Sequence, residues 1–179
     1  MKLETTRFNL RPVGPHDLHF YLDLDSDPEV MTYLNGGRAG TVEECQGGLE
    51  RTQQCFQRYN HKFGLWLAFE KNTNDFVGWV LFRPDKKNPD DLNFIELGYR
   101  LKKKWWGKGV ATELSLHMLD YGFNDLKVNK IFADTLVNNF GSQGVMKKIG
   151  MSFQKEFDHD EIIGDTNRCV RYVLRNPHK

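Results

Sequence analysis

The hydrophobic residues in the middle of this chain recur with the period of β-strands. FGLWLAFEK, residues 63–71, has phenylalanine or leucine at every second position from Phe63 to Phe69, and a period of two is that of a strand. The turn NTND follows, and FVGWVLFRP then continues as a second strand until Pro84. Two strands joined by a short turn predict a β-hairpin.

Strand and helix patterns are mixed along the rest of the chain. RFNLRPV near the start predicts a strand that ends at Pro12, and NFIELGYRL, KIFADTLV and RCVRYVL predict further strands. Apolar spacing is helical from Pro15 to about Tyr59, except for a loop at NGGRAG. SQGVMKKIG predicts a short helix. Together these elements predict a mixed α/β fold.

A further helix is predicted directly after Gly109, and it has apolar residues on two sides. One stripe contains Ala111, Leu114, Met118 and Tyr121, and the other contains Leu116, Leu119 and Phe123. A helix that is apolar on two sides is expected to be well buried.

Length and charge limit the classes to which the chain can belong. Its 179 residues fit one domain, residues 1–179, with a core large enough to need no cross-links. A formal net charge of +1 gives the molecule no strong attraction to nucleic acid or to a membrane surface. No apolar run approaches the roughly 20 residues of a membrane span, and MKLETTRFNLRP lacks the apolar stretch of a signal peptide. We therefore expect a cytoplasmic protein without nucleic-acid or membrane partners.

Residues that bind metals are scattered along the chain. The three cysteines are widely spaced and form no CxxC pair, so they indicate neither a disulfide framework nor a zinc site. His16 and His19 can share a helical face, but no third ligand is evident. The polar cluster FDHDE, residues 157–161, is interpreted as a solvated turn. No metal is expected.

The strongest chemical signal is KWWGKGVATE, residues 104–113, at a junction between a strand and a helix. The first turn of a helix exposes backbone N–H groups without intrahelical partners, and the helix dipole adds positive charge there. Gly107 and Gly109 permit positive φ and let an anion approach these groups. The lysines at 102–104 add diffuse positive charge. The alternative is that both glycines only form a tight turn before a packed helix.

Two common phosphate-binding motifs do not fit this junction. A P-loop needs GxxxxGK(S/T), and here the GKG run is followed by Val110. A dinucleotide fingerprint needs GxGxxG, but its third glycine position holds Thr112.

LGYRLKKKWWGKGVATEL resembles the acyl-CoA signature (Q/R)xxGx(G/A) of the GNAT (GCN5-related N-acetyltransferase) superfamily, with Lys104 in place of the first residue. The run GYRL…WWGKGVATEL is similar to the RimJ/RimL branch, the acetyltransferases of ribosomal-protein N-termini. LETTRFNLRPVGPHDL, DPEVMTYL and NNFGSQGVMKKIGM extend the similarity from about Leu3 to Met151. The resemblance implies a largely antiparallel, twisted sheet that is flanked by helices and splayed where acetyl-CoA enters.

The same resemblance implies acetyl-CoA as the co-substrate, with its pyrophosphate at the signature loop. The implied cofactor-binding residues are Leu101, Lys104, Trp105, Trp106, Gly107, Lys108, Gly109, Val110, Ala111, Thr112 and Asn139. The two tryptophans are expected beside the pyrophosphate.

Ser142 is the implied partner of the CoA sulfur. In the broader superfamily a tyrosine seven residues after the motif asparagine protonates the departing thiolate, but that count from Asn139 reaches Met146. In the RimJ/RimL branch the serine of NxxS takes this part, which implies that Ser142 hydrogen-bonds or protonates the sulfur. Asn139 would hold the pantetheine arm or the acceptor. Ser142 also fits a helix N-cap before QGVMKKIG, and the two roles can coexist.

Direct attack of an amine on a thioester needs a route for the amine proton, donors for the oxyanion and close alignment. The resemblance places the oxyanion donor among the backbone N–H groups from Tyr99 to Leu101. Glu96 is the candidate base if its face of the strand looks toward the cleft. Otherwise it is an outward residue or an ion-pair partner of Arg100, and Asp134 is the reserve candidate.

The implied function is transfer of an acetyl group from acetyl-CoA to a primary amine in a ternary complex, with a protein or peptide N-terminus as the expected acceptor. A small amine, such as a polyamine, an amino acid derivative or an aminoglycoside, is the alternative. A non-catalytic acetyl-CoA sensor is a third hypothesis, because Met146 has no proton to give. Arg38 in the loop YLNGGRAG is a candidate for recognising an acidic group of the acceptor. The oligomeric state stays open, although members of the family often form homodimers.

Overall fold

The computed structural model describes residues 3–160 and 167–179. The strands are β1 (Leu3–Glu4), β2 (Phe8–Pro12), β3 (Gly64–Glu70), β4 (Phe76–Pro84), β5 (Phe94–Leu101), β6 (Lys130–Leu136), β7 (Ser152–Asp158) and β8 (Arg168–Arg175). The α-helices are α1 (Leu18–Asp25), α2 (Pro28–Asn35), α3 (Val42–Arg58), α4 (Val110–Asp120) and α5 (Phe140–Lys148). All eight strands form one sheet in the order β1-β2-β3-β4-β5-β6-β8-β7.

The sheet confirms the predicted mixed α/β fold and the predicted hairpin. β3 and β4 pair antiparallel, and every other neighbouring pair is antiparallel except β5 and β6. Every residue from Gly64 to Ala68 is buried, so both faces of β3 are covered. No helix within the described ranges is both long and apolar enough to cross a membrane.

Helices lie on both faces of the sheet. Tyr99 and Arg100 are neighbours on β5, so their side chains point to opposite faces. Tyr99 contacts Ser142 of α5, whereas Arg100 forms an ion pair with Asp25 at the end of α1. α5 therefore lies against one face of the sheet, and α1 lies against the other.

Three helices occupy the first predicted helical region, and the starts of α2 and α3 are marked by capping side chains. Asp27 accepts a hydrogen bond from the backbone N–H of Glu29 and so caps α2, which is followed by Gly36 with a φ of +74°. Thr41 and Glu44 form a reciprocal capping box at the start of α3. The glycine-rich loop between these helices is where the sequence predicted it.

The sheet opens between β5 and β6, as the resemblance implied. Their parallel register covers only Phe94–Glu96 opposite Lys130–Phe132. β5 continues to Leu101 and β6 to Leu136, but beyond that register the two strands do not pair with each other. The carboxyl-terminal half of β5 therefore has one edge that β6 leaves free.

Two predictions about secondary structure and burial need correction. FDHDE was interpreted as a turn, and Asp160 does lie in a turn, but Phe157 and Asp158 end strand β7, and Glu161 lies outside the described residues. β7 is an outer strand with almost every side chain exposed, so its sequence carries no core pattern. In α4, Leu116 is 48% exposed although it was placed in a buried stripe, and Ser115 is buried in its stead.

Candidate active site

The signature loop connects the free end of β5 to α4 through two left-handed glycines. A short 3₁₀ turn covers Lys103–Trp105, and Gly107 and Gly109 follow with φ of +71° and +73°. A Cβ at Gly107 would meet nothing within 4 Å, and one at Gly109 would meet only the Arg7 guanidinium at 3.8 Å. The backbone conformation, and not lack of space, therefore requires glycine at both positions.

The start of α4 presents backbone N–H groups without a capping side chain. Gly109 is the N-cap residue and no side chain accepts from the first turn. The backbone N–H of Glu113 donates to the Gly109 carbonyl at 3.0 Å, which leaves the N–H groups of Val110, Ala111 and Thr112 ahead of the helical ladder. These groups form a site suited to an anion.

A contact between distant segments holds this loop in place, and the sequence analysis did not identify it. Glu113 accepts hydrogen bonds from the Thr5 hydroxyl at 2.6 Å, the Arg7 backbone N–H at 2.9 Å and Arg7 Nε at 2.6 Å. Arg7 Nη1 also donates to the carbonyl of Lys108 at 3.1 Å. Burial acts to raise the pKa of Glu113, but the hydrogen bonds from Thr5 and Arg7 outweigh it and lower that pKa. No sequence spacing links the β1–β2 turn to α4.

Lysines 102–104 were expected to add diffuse positive charge, but each of them is paired with a carboxylate. Lys102 pairs with Asp23 at 2.7 Å, Lys103 pairs with Glu29, and Lys104 pairs with Asp75 at 2.8 Å. Their charges are balanced by α1, α2 and the β3–β4 turn. Lys108 has no carboxylate partner among the described residues, and its Nζ lies 5.5 Å from the Trp105 ring centroid.

The two tryptophans of the loop lie in different environments. Trp105 packs against the core, and its ring meets Phe8 edge-on at 6.0 Å. Trp106 is 42% exposed, and its Nε1 donates to the Leu101 carbonyl at 2.9 Å. Trp106 thus ties the loop to the free edge of β5, and Trp105 ties it to β2.

The register of β5 on β4 indicates which backbone N–H groups face the opening. The N–H of Lys102 donates to the Val77 carbonyl at 2.9 Å, and the regular antiparallel register places Arg100 opposite Trp79. Bonded positions alternate in such a ladder, so the Arg100 N–H faces β4. The N–H groups of Tyr99 and Leu101 then face the side that β6 leaves free.

Ser142 lies across this opening from β5, in hydrogen-bond contact with Tyr99. Its Oγ is 2.9 Å from the Tyr99 hydroxyl oxygen. Ser142 is not the N-cap of α5, because Asn139 holds that position and accepts from the Ser142 backbone N–H at 3.1 Å. Met146 is only 2% exposed and belongs to the core.

The Tyr99 hydroxyl is a site residue that the sequence analysis missed. Burial raises the pKa of Tyr99, and its hydrogen bond with Ser142 acts in the opposite direction. The residue lies in the GYRL motif, but only the fold brings it to α5, 43 positions further along the chain.

The two candidate bases lie on the face opposite Tyr99, and both are ion-paired. Glu96 pairs with Arg83 at 2.7 Å, so the suggestion that it pairs with Arg100 was wrong. Asp134 accepts from Nη2 and Nε of Arg171 at 2.6 and 2.8 Å. Glu96 keeps 24% of its side chain exposed and Asp134 keeps 13%, which makes Glu96 the more accessible carboxylate.

The remaining candidates lie away from the opening. Arg38 is exposed and pairs with Glu44 at 2.7 Å. His19 Nδ1 lies 3.3 Å from the backbone carbonyl oxygen of His16, and its ring contacts that of Phe20 at 3.9 Å. Within residues 3–160 and 167–179 no group of three or more His, Cys, Asp or Glu side chains is arranged to hold a metal.

Comparison with known proteins identifies the family of this chain. The model of the acetyltransferase (GNAT) domain matches residues 7–152. The chain is 31% identical over 159 residues to FsC-acetyl coenzyme A-N(2)-transacetylase of Aspergillus fumigatus, covering 87% of this chain and 66% of that protein, just under two thirds of its length. It is 38% identical over 151 residues to the uncharacterized N-acetyltransferase YnaD of Bacillus subtilis, covering 84% and 82% of the two chains.

Solved structures agree on the fold. A GNAT acetyltransferase from Bacillus anthracis superposes with a TM-score of 0.79 at 23% identity, covering 98% of this chain and 99% of the other. The ribosomal alpha-N-protein acetyltransferase RimL, in complex with coenzyme A, superposes with a TM-score of 0.81 at 16% identity over 100% of both chains. The glycine loop, the opening beside β5 and α5 all lie inside the matched domain, and the chain therefore belongs to the GNAT family of acyl-CoA-dependent N-acetyltransferases.

Proposed function

We propose that this chain transfers an acetyl group from acetyl-CoA to a primary amine, and that a protein or peptide N-terminus is its first acceptor class. The observation that carries the proposal is the uncapped start of α4, preceded by Gly107 and Gly109 in left-handed conformation, at the place where β5 and β6 separate. An anion site beside an open strand edge suits a ligand with a phosphate at one end and a thioester at the other.

The residues of the loop fit the pyrophosphate of such a cofactor. The N–H groups of Val110, Ala111 and Thr112 are the donors, and both glycines leave the space in front of them free of side chains. Lys108, for which the described residues offer no carboxylate partner, adds a positive charge at the same loop. Leu101, Lys104, Trp105, Trp106 and Asn139 complete the proposed binding residues around the opening.

The chemistry needs three groups from this chain once the acyl-CoA supplies its thioester. The N–H of Tyr99 or Leu101 donates to the thioester carbonyl and stabilises the oxyanion. Ser142 donates to the sulfur. Glu96 accepts the proton of the attacking amine, directly or through water, from the opposite face of the sheet.

A small amine is the second acceptor class, and the comparisons favour it by identity. The fungal relative, at 31% identity, is named as an N(2)-transacetylase. The RimL similarity stands at 16% identity and supports the fold alone. The choice of protein N-termini as the first acceptor class rests on the GYRL…WWGKGVATEL resemblance. The cytoplasm remains the expected compartment for either acceptor.

An acetyl-CoA titration followed by thermal unfolding tests the cofactor. Ligand at 100 times its dissociation constant should stabilise the protein by about 2.7 kcal/mol. For a chain of this size that corresponds to a rise in Tm of roughly 5–10 °C. No shift at millimolar acetyl-CoA would overturn the proposal.

A thiol-release assay then separates the acceptor classes. Peptides with free N-termini should release CoA, and the same peptides with blocked N-termini serve as matched controls. Polyamines, amino acid derivatives and aminoglycosides form the second panel. Turnover on the second panel alone would replace the peptide N-terminus by a small amine, and tight binding without turnover on any amine would favour the sensor.

A further inference from the structure

We infer that Tyr99 is the proton source for the leaving thiolate and that it acts through Ser142. The inference rests on the proposed acetyl transfer and concerns how its leaving group departs. The main evidence is the 2.9 Å contact between the Tyr99 hydroxyl and Ser142 Oγ at the free edge of β5.

Acidity explains why Ser142 needs this partner. A thiol has a pKa of about 8.5 and a phenol one of about 10, whereas an aliphatic hydroxyl is a far weaker acid than either. Ser142 alone would therefore be a poor proton donor to a thiolate. A phenol that replaces the serine proton as it leaves makes the overall proton transfer to the thiolate less unfavourable than transfer from serine alone.

The environment of Tyr99 keeps this donor protonated and oriented. Burial raises its pKa, so the phenol carries its proton at neutral pH. Because the phenol is the stronger acid, it donates to Ser142 Oγ and leaves the serine proton free to point toward the opening. The backbone of Ser142 is fixed separately, since its N–H donates to Asn139 Oδ1.

Two other tyrosine hydroxyls on this side of the sheet have different hydrogen-bond partners. The Tyr172 hydroxyl donates to Gln143 Oε1 at 3.4 Å, and the Tyr121 hydroxyl donates to the Lys62 carbonyl at 3.1 Å. Met146, at the position of the superfamily tyrosine, is buried in the core. Among the described residues, Tyr99 is the phenol that contacts Ser142.

The step balances without an added reagent. The amine nitrogen forms a bond to the thioester carbonyl carbon, and the carbon–sulfur bond breaks with its electron pair on sulfur. Sulfur takes the proton of Ser142 Oγ while Oγ takes that of Tyr99. The attached nitrogen loses one proton toward the Glu96 side, and solvent returns one proton to the phenolate, so the net products are an amide and a thiol.

The test compares Tyr99→Phe, Ser142→Ala and the double variant by thiol release. Each single variant should lose about 100-fold in kcat, the lower range for general acid catalysis, with the KM for acetyl-CoA nearly unchanged. The double variant should lose no more than the worse single one, because the two hydroxyls act as a unit. Tyr172→Phe is the matched control, since it removes another phenol oxygen beside α5, and it should keep kcat within about twofold.

A second measurement separates proton supply from a structural effect. An acetyl thioester with a more acidic leaving thiol needs less protonation, so the Tyr99→Phe deficit should shrink with that donor. Tm and acetyl-CoA affinity should match those of the unaltered protein. A Tyr99→Phe variant with normal kcat, or losses that multiply in the double variant, would overturn the relay while leaving the acetyltransferase proposal standing. No turnover by the unaltered protein on any amine would overturn both.

Discussion

At the scale of single residues, the site depends on backbone conformations that only some side chains tolerate. Gly107 and Gly109 both adopt left-handed φ, at +71° and +73°. An L-residue in this region costs roughly 1–2 kcal/mol. The loop can therefore present its N–H groups at modest cost only if both positions are glycine.

Replacing Gly109 by Ala should destabilise the protein by about 1 kcal/mol, because the added Cβ is strained at a φ of +73°. Acetyl-CoA affinity should fall as well, since relief of the strain moves the first turn of α4. Urea unfolding and a ligand titration measure the two effects. Gly144→Ala is the control: this glycine lies inside α5 with nothing within 4 Å of an added Cβ, and the change should stabilise by about 0.5–1 kcal/mol. Equal effects of both substitutions would contradict the argument.

At the scale of elements, ion pairs join the signature loop to its surroundings. The three pairs are Lys102 with Asp23 of α1, Lys103 with Glu29 of α2, and Lys104 with Asp75 of the β3–β4 turn. Arg7 and Glu113 join the β1–β2 turn to α4. The loop is thus positioned by several elements, and its lysines serve mainly as links between them.

Charge removal should therefore affect cofactor binding unequally. Lys108→Gln removes a charge that has no carboxylate partner in the described part of the chain, and it should weaken acetyl-CoA binding severalfold, with a smaller dependence of affinity on salt. Lys103→Gln removes a charge that Glu29 already balances and should change the dissociation constant by less than about twofold. Titrations at two salt concentrations measure both variants. A larger loss for Lys103→Gln would show that phosphate displaces Glu29 from its lysine.

At the scale of the whole molecule, stability should fall in acid because several carboxylates have lowered pKa values in the folded state. Burial opposes ionisation of Asp17 and Glu113, but hydrogen bonds from Arg11 and Arg7, with their neighbouring donors, lower both pKa values. A group with a depressed folded pKa stabilises the fold above its unfolded pKa, about 3.9 for Asp and 4.3 for Glu. That contribution disappears as the pH falls through the folded pKa.

In the Glu113→Gln variant, the free energy of unfolding should therefore fall less steeply as the pH is lowered into the acid range. The variant should be less stable than the parent at pH 7, and the difference should narrow as the pH falls below about 4.3. Urea unfolding between pH 3 and pH 7 checks this. A difference that stays constant over that range would mean that Glu113 stabilises the loop by shape and not by charge.

The fold was largely readable from the sequence where local periodicity is strong. The β3–β4 hairpin, β5, β6, β8 and α5 formed where apolar spacing and turn residues predicted them. β7 was missed because an exposed outer strand has no buried face to give it a pattern. Leu116 was wrongly predicted to be buried, because helical spacing shows which residues share a stripe but not which stripe faces the sheet.

What the sequence by itself determined about this protein is local: the order of strands and helices, the two glycines at the start of α4, and the residue pattern of an acyl-CoA loop. Only the tertiary structure decided which groups meet there. It paired Glu96 with Arg83, made Asn139 the cap of α5, and brought Tyr99 to Ser142. The physical reason is range: capping, turns and periodicity act over a few residues, whereas ion pairs and hydrogen bonds between strands and helices depend on how the whole sheet is packed.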